Sequence, residues 1–410
     1  MILEGKYNSA KVYTDNIDNE TISQIINLCN QKAFENSSIK IMPDCHAGKG
    51  CTVGTTMTIT DKVVPNLVGV DIGCGVAAVK INDKLDLDKL DKVIRTYIPH
   101  GFNVHERSRE KLLKEVFNID LKSIKANINV DRAFVSLGTL GGGNHFIEVD
   151  KTENGEMYLI VHTGSRNLGK QIAEYHQAQA IKHCEKKYGR DLSSHIIAAL
   201  VAKGQQHLIE ETLKAHKAAN KKPSDDLCYL EGELMKDYLR DMDVAQRYAA
   251  ANRMVILADI LYNYYEEKGE FSHYLRSIYG DMIECIHNYI DIENNILRKG
   301  AISAKEGELV LVPINMRDGI ILGKGKGNSE WNYSAPHGAG RILSRGQAKQ
   351  KITLDEFKDS MKDVYTTCVG QSTLDEAPQA YKPIEDILAY IDKTLEIIDI
   401  MKPVYNFKSN

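Results

Sequence analysis

Asp71 and Cys74 lie three residues apart in the glycine-rich stretch Val-Gly-Val-Asp-Ile-Gly-Cys-Gly-Val at residues 68–76. Because its glycines carry no side chain, a carboxylate and a thiolate can approach one point along this backbone. Mixed Asp, Cys and His ligation suits manganese, iron or zinc better than magnesium or calcium, and an anionic thiolate can lie between two cations. The alternative is a glycine-rich strand exit with one buried cysteine.

The histidines help to decide between these interpretations. Four of the 13 follow predicted strands or lie among glycines, namely His145, His162, His287 and His337. Together with Asp71 and Cys74, these histidines give five candidate metal ligands and leave one histidine over. Five ligands are enough for two cations whose coordination shells are completed by water or substrate phosphate. The histidines in predicted helices have solvated neighbours and support no site; they are His176, His183, His195, His207 and His216.

Glycine-rich turns carry further candidates for phosphate binding, since free backbone N–H groups and nearby cations gather anions. These candidates are Asn144 and Glu148 after the triplet Gly141-Gly142-Gly143, Arg166 after His162, and Arg341 and Arg345 after His337. We predict a helix entrance at His337, with Arg345 one turn later. Each turn taken alone is also compatible with an ordinary strand-to-helix connection.

A fourth polar stretch, residues 43–50, is predicted to be a loop between a short strand and the next one. Asp44 and His46 within it can orient a ligand or its water. An Asp and His pair in a turn is more often a structural hydrogen bond, so neither residue belongs to the predicted site.

Composition limits the class of protein. The chain has 410 residues, of which 43% are hydrophobic, so it can bury a substantial core. Its net charge of -4 gives no overall basic field, so any nucleic-acid surface must be a local patch. There is no run of about 18 apolar residues, no signal-peptide pattern and no disulfide spacing among the eight cysteines. We therefore expect a soluble protein in the reducing cytoplasm.

Apolar periodicity predicts strands and helices in an irregular order. Strands are predicted at residues 1–11, 38–42, 51–59, 75–81, 133–140, 157–161 and 310–315. Helices are predicted at 20–34, within 84–121, as a solvated hairpin between 186 and 226, and at 229–265, whereas 283–296 is interpreted as a helix or a strand-helix junction. Without a regular βαβ repeat, this order predicts an α+β fold in one compact domain over residues 1–410, with a helix-rich segment at about 169–280.

The motifs together resemble the RtcB-type RNA ligases, the RNA-splicing ligase family. They are Gly-Val-Asp-Ile-Gly-Cys-Gly (69–75), Gly-Gly-Asn-His-Phe-Ile-Glu (142–148), His-Thr-Gly-Ser-Arg-Asn-Leu-Gly (162–169), His-Asn (287–288), Arg-Lys-Gly-Ala (298–301), His-Gly-Ala-Gly-Arg (337–341) and Asp-Glu-Ala-Pro-Gln-Ala-Tyr-Lys (375–382). They follow the family order from Met42 to Lys408, and so many separate motifs are far more specific than one glycine loop.

The resemblance implies a catalytic domain with a mixed or antiparallel sheet core. It also implies GTP- and Mn²⁺-dependent joining of an RNA 3′-phosphate or 2′,3′-cyclic phosphate end to a 5′-hydroxyl end, in RNA repair or tRNA splicing. In the family route His337 attacks the α-phosphate of GTP and forms a covalent guanylate. The implied partners are therefore GTP and broken RNA, with no membrane and no protein partner.

The resemblance also assigns roles to individual residues. Two Mn²⁺ would be held by Asp71, Cys74, His145, His162 and His287, with Cys74 bridging. GTP would contact Asn144, Glu148, Asn315, His337, Gly338, Ala339, Gly340 and Lys408, with Glu148 reading the guanine edge. RNA or phosphate would contact Arg166, Lys299, Arg341 and Arg345.

The chain departs from the family pattern at Pro313-Ile314-Asn315-Met316-Arg317, where many members read Pro-Gly-Ser-Met-Gly. Ile320 stands where a serine touches guanine in relatives, so nucleotide preference stays open, and Arg317 or Asp318 can compensate. Two other classes also remain: a metal-dependent phosphohydrolase or cyclic phosphodiesterase on the same scaffold, and a catalytically silent RNA-binding protein. The complete ligand set argues against the silent protein, because buried ligands without a metal would destabilise the core.

Overall fold

The computed structural model describes residues 1–81, 84–189, 193–219 and 221–409. Its strands are β1 (Ile2–Glu4), β2 (Ser9–Val12), β3 (Ile39–His46), β4 (Val53–Thr58), β5 (Lys62–Val63), β6 (Gly75–Ile81), β7 (Phe146–Lys151), β8 (Met157–Thr163), β9 (Leu230–Glu231), β10 (Ile283–Ile286), β11 (Asn288–Asp291), β12 (Ile296–Lys299), β13 (Ala301–Ser303), β14 (Leu309–Asn315), β15 (Gly319–Gly325), β16 (Ser334–Pro336) and β17 (Leu395–Lys408). Its α-helices are α1 (Asn19–Cys29), α2 (Leu87–Tyr97), α3 (Glu110–Glu115), α4 (Val130–Ser136), α5 (Arg166–Tyr188), α6 (Ser193–Ala202), α7 (Ile209–Ala219), α8 (Gly232–Tyr264), α9 (Phe271–Tyr279), α10 (Arg345–Lys351), α11 (Leu354–Ser360) and α12 (Ile384–Ile391).

Two large sheets carry the architecture. The first has the strand order β1-β2-β3-β4-β12-β11, and its β2–β3 pair is parallel while the other pairs are antiparallel. The second has the order β10-β6-β8-β7-β17-β15-β14 and is antiparallel throughout. Both are built from strands that are distant in sequence, so each large sheet depends on long-range pairing.

The second sheet is buried on both faces, because successive side chains of a strand point to opposite sides. On β8, Ile160 packs with β14 and β15, whereas Leu159 and Val161 pack with α2 and α8. Helix α8, 33 residues long, also contributes buried residues to the core beneath the first sheet. One long helix therefore supports both sheets from one side.

The α+β prediction is confirmed, and the sheet core contains both mixed and antiparallel pairing. The predicted helix-rich segment contains α5 to α9. Its predicted hairpin is formed by α6 and α7, although residues 190–192 and 220 lie outside the described residues. The assignment of residues 1–410 to one catalytic domain stays a prediction. Among the helices of the described ranges, none is long and apolar enough to cross a membrane.

Four local predictions are wrong. Residues 133–140 do not form a strand, because Asn129 caps helix α4 and apolar residues at Ala133, Phe134 and Leu137 fit one helical face. Residues 283–296 form no helix and instead belong to β10, β11 and β12. The single strand predicted for residues 1–11 is two, β1 and β2. Residues 43–46 continue β3, whose pairing shifts next to Pro43, a residue that cannot donate to the ladder.

Candidate active site

The strand order of the second sheet brings distant ligand candidates together. His162 of β8 pairs on one side with Val76, two residues after Cys74, and on the other side with Phe146, the residue after His145. His287 directly follows β10, and its backbone N–H donates to the carbonyl of Cys74 at 2.9 Å. Four candidates therefore lie at one end of four neighbouring strands, β10, β6, β8 and β7.

These side chains and Asp71 meet in one pocket. The Sγ atom of Cys74 lies 3.5 Å from Nε2 of His145 and 3.4 Å from Nε2 of His162. Nε2 of His162 is 3.4 Å from Nε2 of His287, and Nε2 of His145 is 3.0 Å from Oδ2 of Asp71. The ligand atoms form two groups, each within 4.8 Å, and Cys74 belongs to both. Its sulfur is thus placed where a bridge between two cations would lie.

Hydrogen bonds behind two imidazoles fix which ring nitrogen is free. Nδ1 of His145 donates to the carbonyl of Leu140 at 3.0 Å, and Nδ1 of His162 donates to that of Asn144 at 3.3 Å. Each Nε2 therefore presents a lone pair to the pocket. Lone pairs that face a sulfur and the Asp71 carboxylate repel unless a cation lies between them, so this donor set fits a metal centre.

Burial dominates the ionisation of the pocket. It raises the pKa of the Cys74 thiol well above its usual value, and the charge of Asp71 adds to the effect. It lowers the pKa of His162 and of His287 well below the usual value, so both imidazoles are neutral. Burial alone would raise the pKa of Asp71, but a hydrogen bond from a proton on Nε2 of His145, in the position that a cation would otherwise take, outweighs it and lowers that pKa to about 2. The thiol would need a nearby cation to lose its proton.

A close backbone approach and a buried arginine hold the loops that carry these ligands. A Cβ atom at Gly164 would lie 2.1 Å from Oδ1 of Asp71, so a side chain there would displace the carboxylate. Arg253 of α8 is completely buried, and its Nη1 donates to the carbonyls of Gly73 at 2.7 Å and Thr163 at 2.8 Å. One guanidinium therefore ties two loops of the pocket together.

His337 follows β16 and is held by Asp44 of β3. Oδ2 of the fully buried Asp44 accepts from Nδ1 of His337 at 2.7 Å and from the backbone N–H groups of His337 and Gly338 at 3.1 and 3.2 Å. Since Nδ1 is the donor, Nε2 keeps its lone pair. The ring centroid is 4.8 Å from that of His287. An imidazole whose Nδ1 is held by a buried carboxylate thus stands beside the metal-ligand pocket.

The predicted helix entrance at His337 is wrong. Helix α10 begins only at Arg345, and Ser344 caps it with Gln347 in a capping box. His337 instead lies in a loop whose position is fixed by Asp44, so the helix dipole has no part in its environment.

A cavity of about 280 Å³ opens beside His337. His162 and His287 form part of its wall, so the cavity and the metal-ligand pocket adjoin. All eight residues predicted to contact GTP line it: Asn144, Glu148, Asn315, His337, Gly338, Ala339, Gly340 and Lys408.

Paired strands β7 and β17 place charged groups in this cavity. Lys408 donates to Oε2 of Glu376 at 2.7 Å, and Glu148 accepts from Nδ2 of Asn406 at 3.1 Å. Burial raises the pKa of Glu148. Burial would also raise the pKa of Glu376, but Lys408 and Arg345 outweigh it and lower that pKa to about 2. The cavity therefore holds a fixed ion pair beside a carboxyl group that is costly to ionise.

Two of the four predicted phosphate-binding residues line the cavity. Arg341 lies 3.3 Å from Oε1 of Glu376, and Arg345 lies 2.7 Å from Oδ2 of Asp375. Their guanidiniums are therefore oriented by carboxylates.

The other two predicted phosphate-binding residues lie elsewhere. Arg166 lines a neighbouring cleft, which residues 142–144 separate from the cavity. Lys299 is buried and donates to the carbonyls of Lys49 at 3.2 Å and Asn66 at 3.0 Å. Its ammonium is therefore engaged with backbone outside the cavity.

The stretch that departs from the family pattern forms the turn between β14 and β15. Asn315 donates to Asp318 at 2.7 Å, and Arg317 donates to the same carboxylate at 2.8 and 2.9 Å. Ile320 is completely buried on β15. Arg317 and Asp318 thus pair with each other, and neither is among the described residues that line the cavity.

Sequence reasoning missed three contributors. Asp44 carried a signal, since it was recognised as a residue able to orient a ligand, but nothing local linked it to His337. Glu376 lies within the motif at residues 375–382, but nothing local gave it a role, and Arg253 carried no signal, because its partners are far along the chain. The solvated surroundings predicted for His176 are also wrong, since it is buried and contacts Asp241 at 2.7 Å.

Comparisons with known proteins agree with the motifs. A family model described as tRNA-splicing ligase RtcB matches residues 24–409. The chain is 29% identical to the RNA-splicing ligase RtcB of Escherichia coli (strain K12), over 95% of this chain and 94% of that protein. It is 25% identical to the tRNA-splicing ligase RtcB of Aeropyrum pernix, over 92% of this chain and 90% of that protein. The family resemblance is confirmed, and the chain belongs to the RtcB family of RNA-splicing ligases.

Proposed function

We propose that the protein is a GTP- and Mn²⁺-dependent RNA ligase that joins an RNA 3′-phosphate or 2′,3′-cyclic phosphate end to a 5′-hydroxyl end. The names of its relatives support an RNA ligase, and the family match over residues 24–409 supports the family reaction. The observation that carries the proposal is the contact of His337 with Asp44 at the wall shared by the cavity and the metal-ligand pocket. A role in RNA repair or tRNA splicing and a cytoplasmic location are part of the same proposal.

The first covalent step belongs to His337. Its Nε2 lone pair attacks the α-phosphorus of GTP, a P–N bond forms, and pyrophosphate leaves. Asp44 supports this step, because it holds the Nδ1 proton and stabilises the positive charge that develops on the ring. The phosphoramidate keeps the guanylyl group activated for transfer.

Two transfers complete the reaction. An oxygen of the RNA 3′-phosphate attacks the guanylate phosphorus, the P–N bond breaks, and His337 is free again. The 5′-hydroxyl then attacks the activated RNA phosphate, a phosphodiester forms, and GMP leaves. A 2′,3′-cyclic phosphate must first be hydrolysed to the 3′-phosphate.

Asp71, Cys74, His145, His162 and His287 would hold two Mn²⁺, with Cys74 between them. Bound metal would neutralise phosphate charge and orient phosphate oxygens. The chain's own cations act on the same charge, since Arg341 and Arg345 line the cavity. Glu148 would accept hydrogen bonds from the guanine edge.

The rival function is a metal-dependent phosphohydrolase or cyclic phosphodiesterase. It would use the same pocket but would never form a protein-bound guanylate, so His337 separates the two functions. In the test, the protein is incubated with Mn²⁺ and α-labelled GTP, and the label that stays on the protein in base and is released by acid, as expected of a phosphoramidate, is measured.

We expect the wild type to be labelled and His337→Ala to carry no label. His273→Ala, which changes an exposed histidine on α9, is the matched control and should label like the wild type. Equal labelling of His337→Ala and wild type, or no labelling of either with metal bound, would refute the proposal.

A further inference from the structure

A second cleft of about 730 Å³ lies next to the cavity. Gly142 and Gly143 line the cleft, whereas Asn144 lines the cavity, so residues 142–144 separate the two. Gly143 also lies beside Arg345, since a Cβ atom there would be 4.0 Å from its Nη2. A strand of substrate that reaches the cavity can therefore continue into the cleft across these small residues.

Phe102 in the cleft is 96% exposed. Its loop is held in place, because Arg132 donates to the Phe102 carbonyl at 2.7 Å and the N–H of Gly101 donates to the carbonyl of Gly141 at 2.8 Å. The N–H of Leu140 donates to the loop's Pro99 carbonyl at 2.9 Å. The ring therefore faces solvent on a backbone that these three hydrogen bonds hold in place. Two of the bonds connect the loop to residues 140 and 141, shortly before Asn144.

The cleft is positively charged. Arg132, Arg166 and Lys170 line it, and no acidic side chain is found among the described residues of its wall. The Arg166 guanidinium lies against Gly141, where a Cβ atom would be 1.8 Å from Nη1, and the backbone φ of +80° at Gly141 favours glycine. Within the described part of the chain, Lys170 has an ion pair only with the exposed Glu174, at 3.8 Å, and such a pair holds its ammonium weakly.

An exposed ring beside several cations matches the chemistry of single-stranded nucleic acid. Bases stack on aromatic side chains, while cations follow the phosphates, and stacking tolerates any base. A single exposed phenylalanine would be unremarkable on its own. The loop held by hydrogen bonds, the cations on a wall without acidic side chains among its described residues, and the shared wall with the cavity together point to one ligand.

We propose that the single-stranded RNA adjoining a reacting end lies in this cleft, with a base stacked on Phe102 and the backbone phosphates beside Lys170 and Arg166. The inference rests on the proposed ligase function, because it gives the substrate its path to His337. It assigns Phe102 and Lys170 to substrate binding outside the family motifs.

The first test measures binding of two RNAs of about ten nucleotides without GTP, one ending in a 3′-phosphate and one in a 5′-hydroxyl. Phe102→Ala should raise the Kd of at least one RNA by about fivefold to a hundredfold, and Phe102→Trp should keep it near wild type. The matched control is Tyr279→Ala, which removes an aromatic that is 65% exposed on α9 and should change neither Kd. Thermal unfolding verifies that each variant is folded.

A second measurement concerns the phosphates. Lys170→Gln should lower the slope of log Kd against log salt by about 0.7, the value for one phosphate contact with a single strand. Lys111→Gln is its control, because Lys111 faces Glu115 at the same 3.8 Å on another helix but lies outside the cleft.

Photocrosslinking supplies a direct contact. RNA with 5-iodouridine near the reacting end should crosslink to Phe102, and mass spectrometry would identify the peptide. Unchanged Kd of both RNAs in Phe102→Ala, or crosslinks only elsewhere, would overturn the cleft assignment. GTP labelling of the wild type tests the ligase function separately, so the failure of one proposal can be distinguished from the failure of the other.

Discussion

The carboxylate of Asp44 lies 2.7 Å from Nδ1 of His337, although 293 residues separate the two along the chain. Asp44 comes from β3 of the first sheet, and it also accepts from two backbone N–H groups of the loop that carries His337. One buried side chain thus fixes both the position and the tautomer of the proposed nucleophile.

Asp44→Ala should slow guanylylation at saturating GTP by about a hundredfold to ten-thousandfold, because the imidazole loses its orientation and its countercharge. Asp44→Asn keeps one acceptor oxygen and should fall between Ala and wild type. The initial rate of GTP labelling measures both. Asp61→Ala, which changes an exposed aspartate, should leave the rate unchanged, and wild-type rates in Asp44→Ala would contradict the role.

Cys74→Ala should lose both proposed metal ions, because the two ligand groups share this sulfur. Elemental analysis of the purified protein after dialysis measures retained manganese. Cys368→Ala removes another buried cysteine outside the ligand groups and should retain metal like the wild type. If Cys74→Ala kept the full metal content, the bridge would be wrong.

Glu148→Gln should reduce the preference for GTP over ATP in the labelling reaction by about tenfold to a hundredfold. The reason is that the carboxyl group of Glu148 can accept from both guanine edge donors once these donors offset the cost of ionising it, whereas an amide cannot, and such charged hydrogen bonds contribute about 1.5–3 kcal/mol. Glu153→Gln changes an exposed glutamate in the turn after β7 and should preserve the preference. An unchanged preference in Glu148→Gln would move guanine recognition to other residues.

Glu376 should make stability depend on acid pH. Its folded pKa of about 2 lies below the usual value of 4.5, so its contribution is present above about pH 4.5 and is lost as the pH falls towards 2. The shift corresponds to about 3 kcal/mol at most. The difference in unfolding free energy between wild type and Glu376→Gln should therefore shrink from pH 6 to pH 2. Urea titrations across this range measure it, and a constant difference would exclude the linkage.

Arg253→Met should destabilise the protein by about 3–5 kcal/mol, because it leaves the Glu284 carboxylate and two buried carbonyls without their donor. Arg247→Met on the same helix is the control, since Arg247 is half exposed and should change stability by less than about 0.5 kcal/mol. Urea unfolding compares them. Similar losses in both variants would mean that the buried contacts of Arg253 contribute little.

The strands predicted most accurately are those that their own apolar sequence pattern specifies. The apolar runs at 75–81 and 310–315 predicted β6 and β14 almost to the residue. The apolar run at 133–140 was too short for its period to separate helix from strand, and the helix cap at Asn129 decided it.

Convergence of the site could not be derived from local pattern. Each metal-ligand candidate could be recognised beside a strand or among glycines, but only the pairing of β10, β6 and β8 places His287 beside Cys74. That pairing links residues more than 200 positions apart. The family resemblance implied the grouping, whereas the sequence alone left it open.

The proposed nucleophile and the proposed metal ligands are attached to different sheets. Asp44 anchors His337 from β3 in the first sheet, while Cys74, His145 and His162 adjoin strands of the second. His287 lies at the crossing, between the last residue of β10 and the first of β11. The distance between His337 and the metal-ligand pocket, which the proposed guanylyl transfer depends on, is therefore set by how the two sheets pack. A substitution far from every ligand that shifts one sheet relative to the other would change the rate of that transfer.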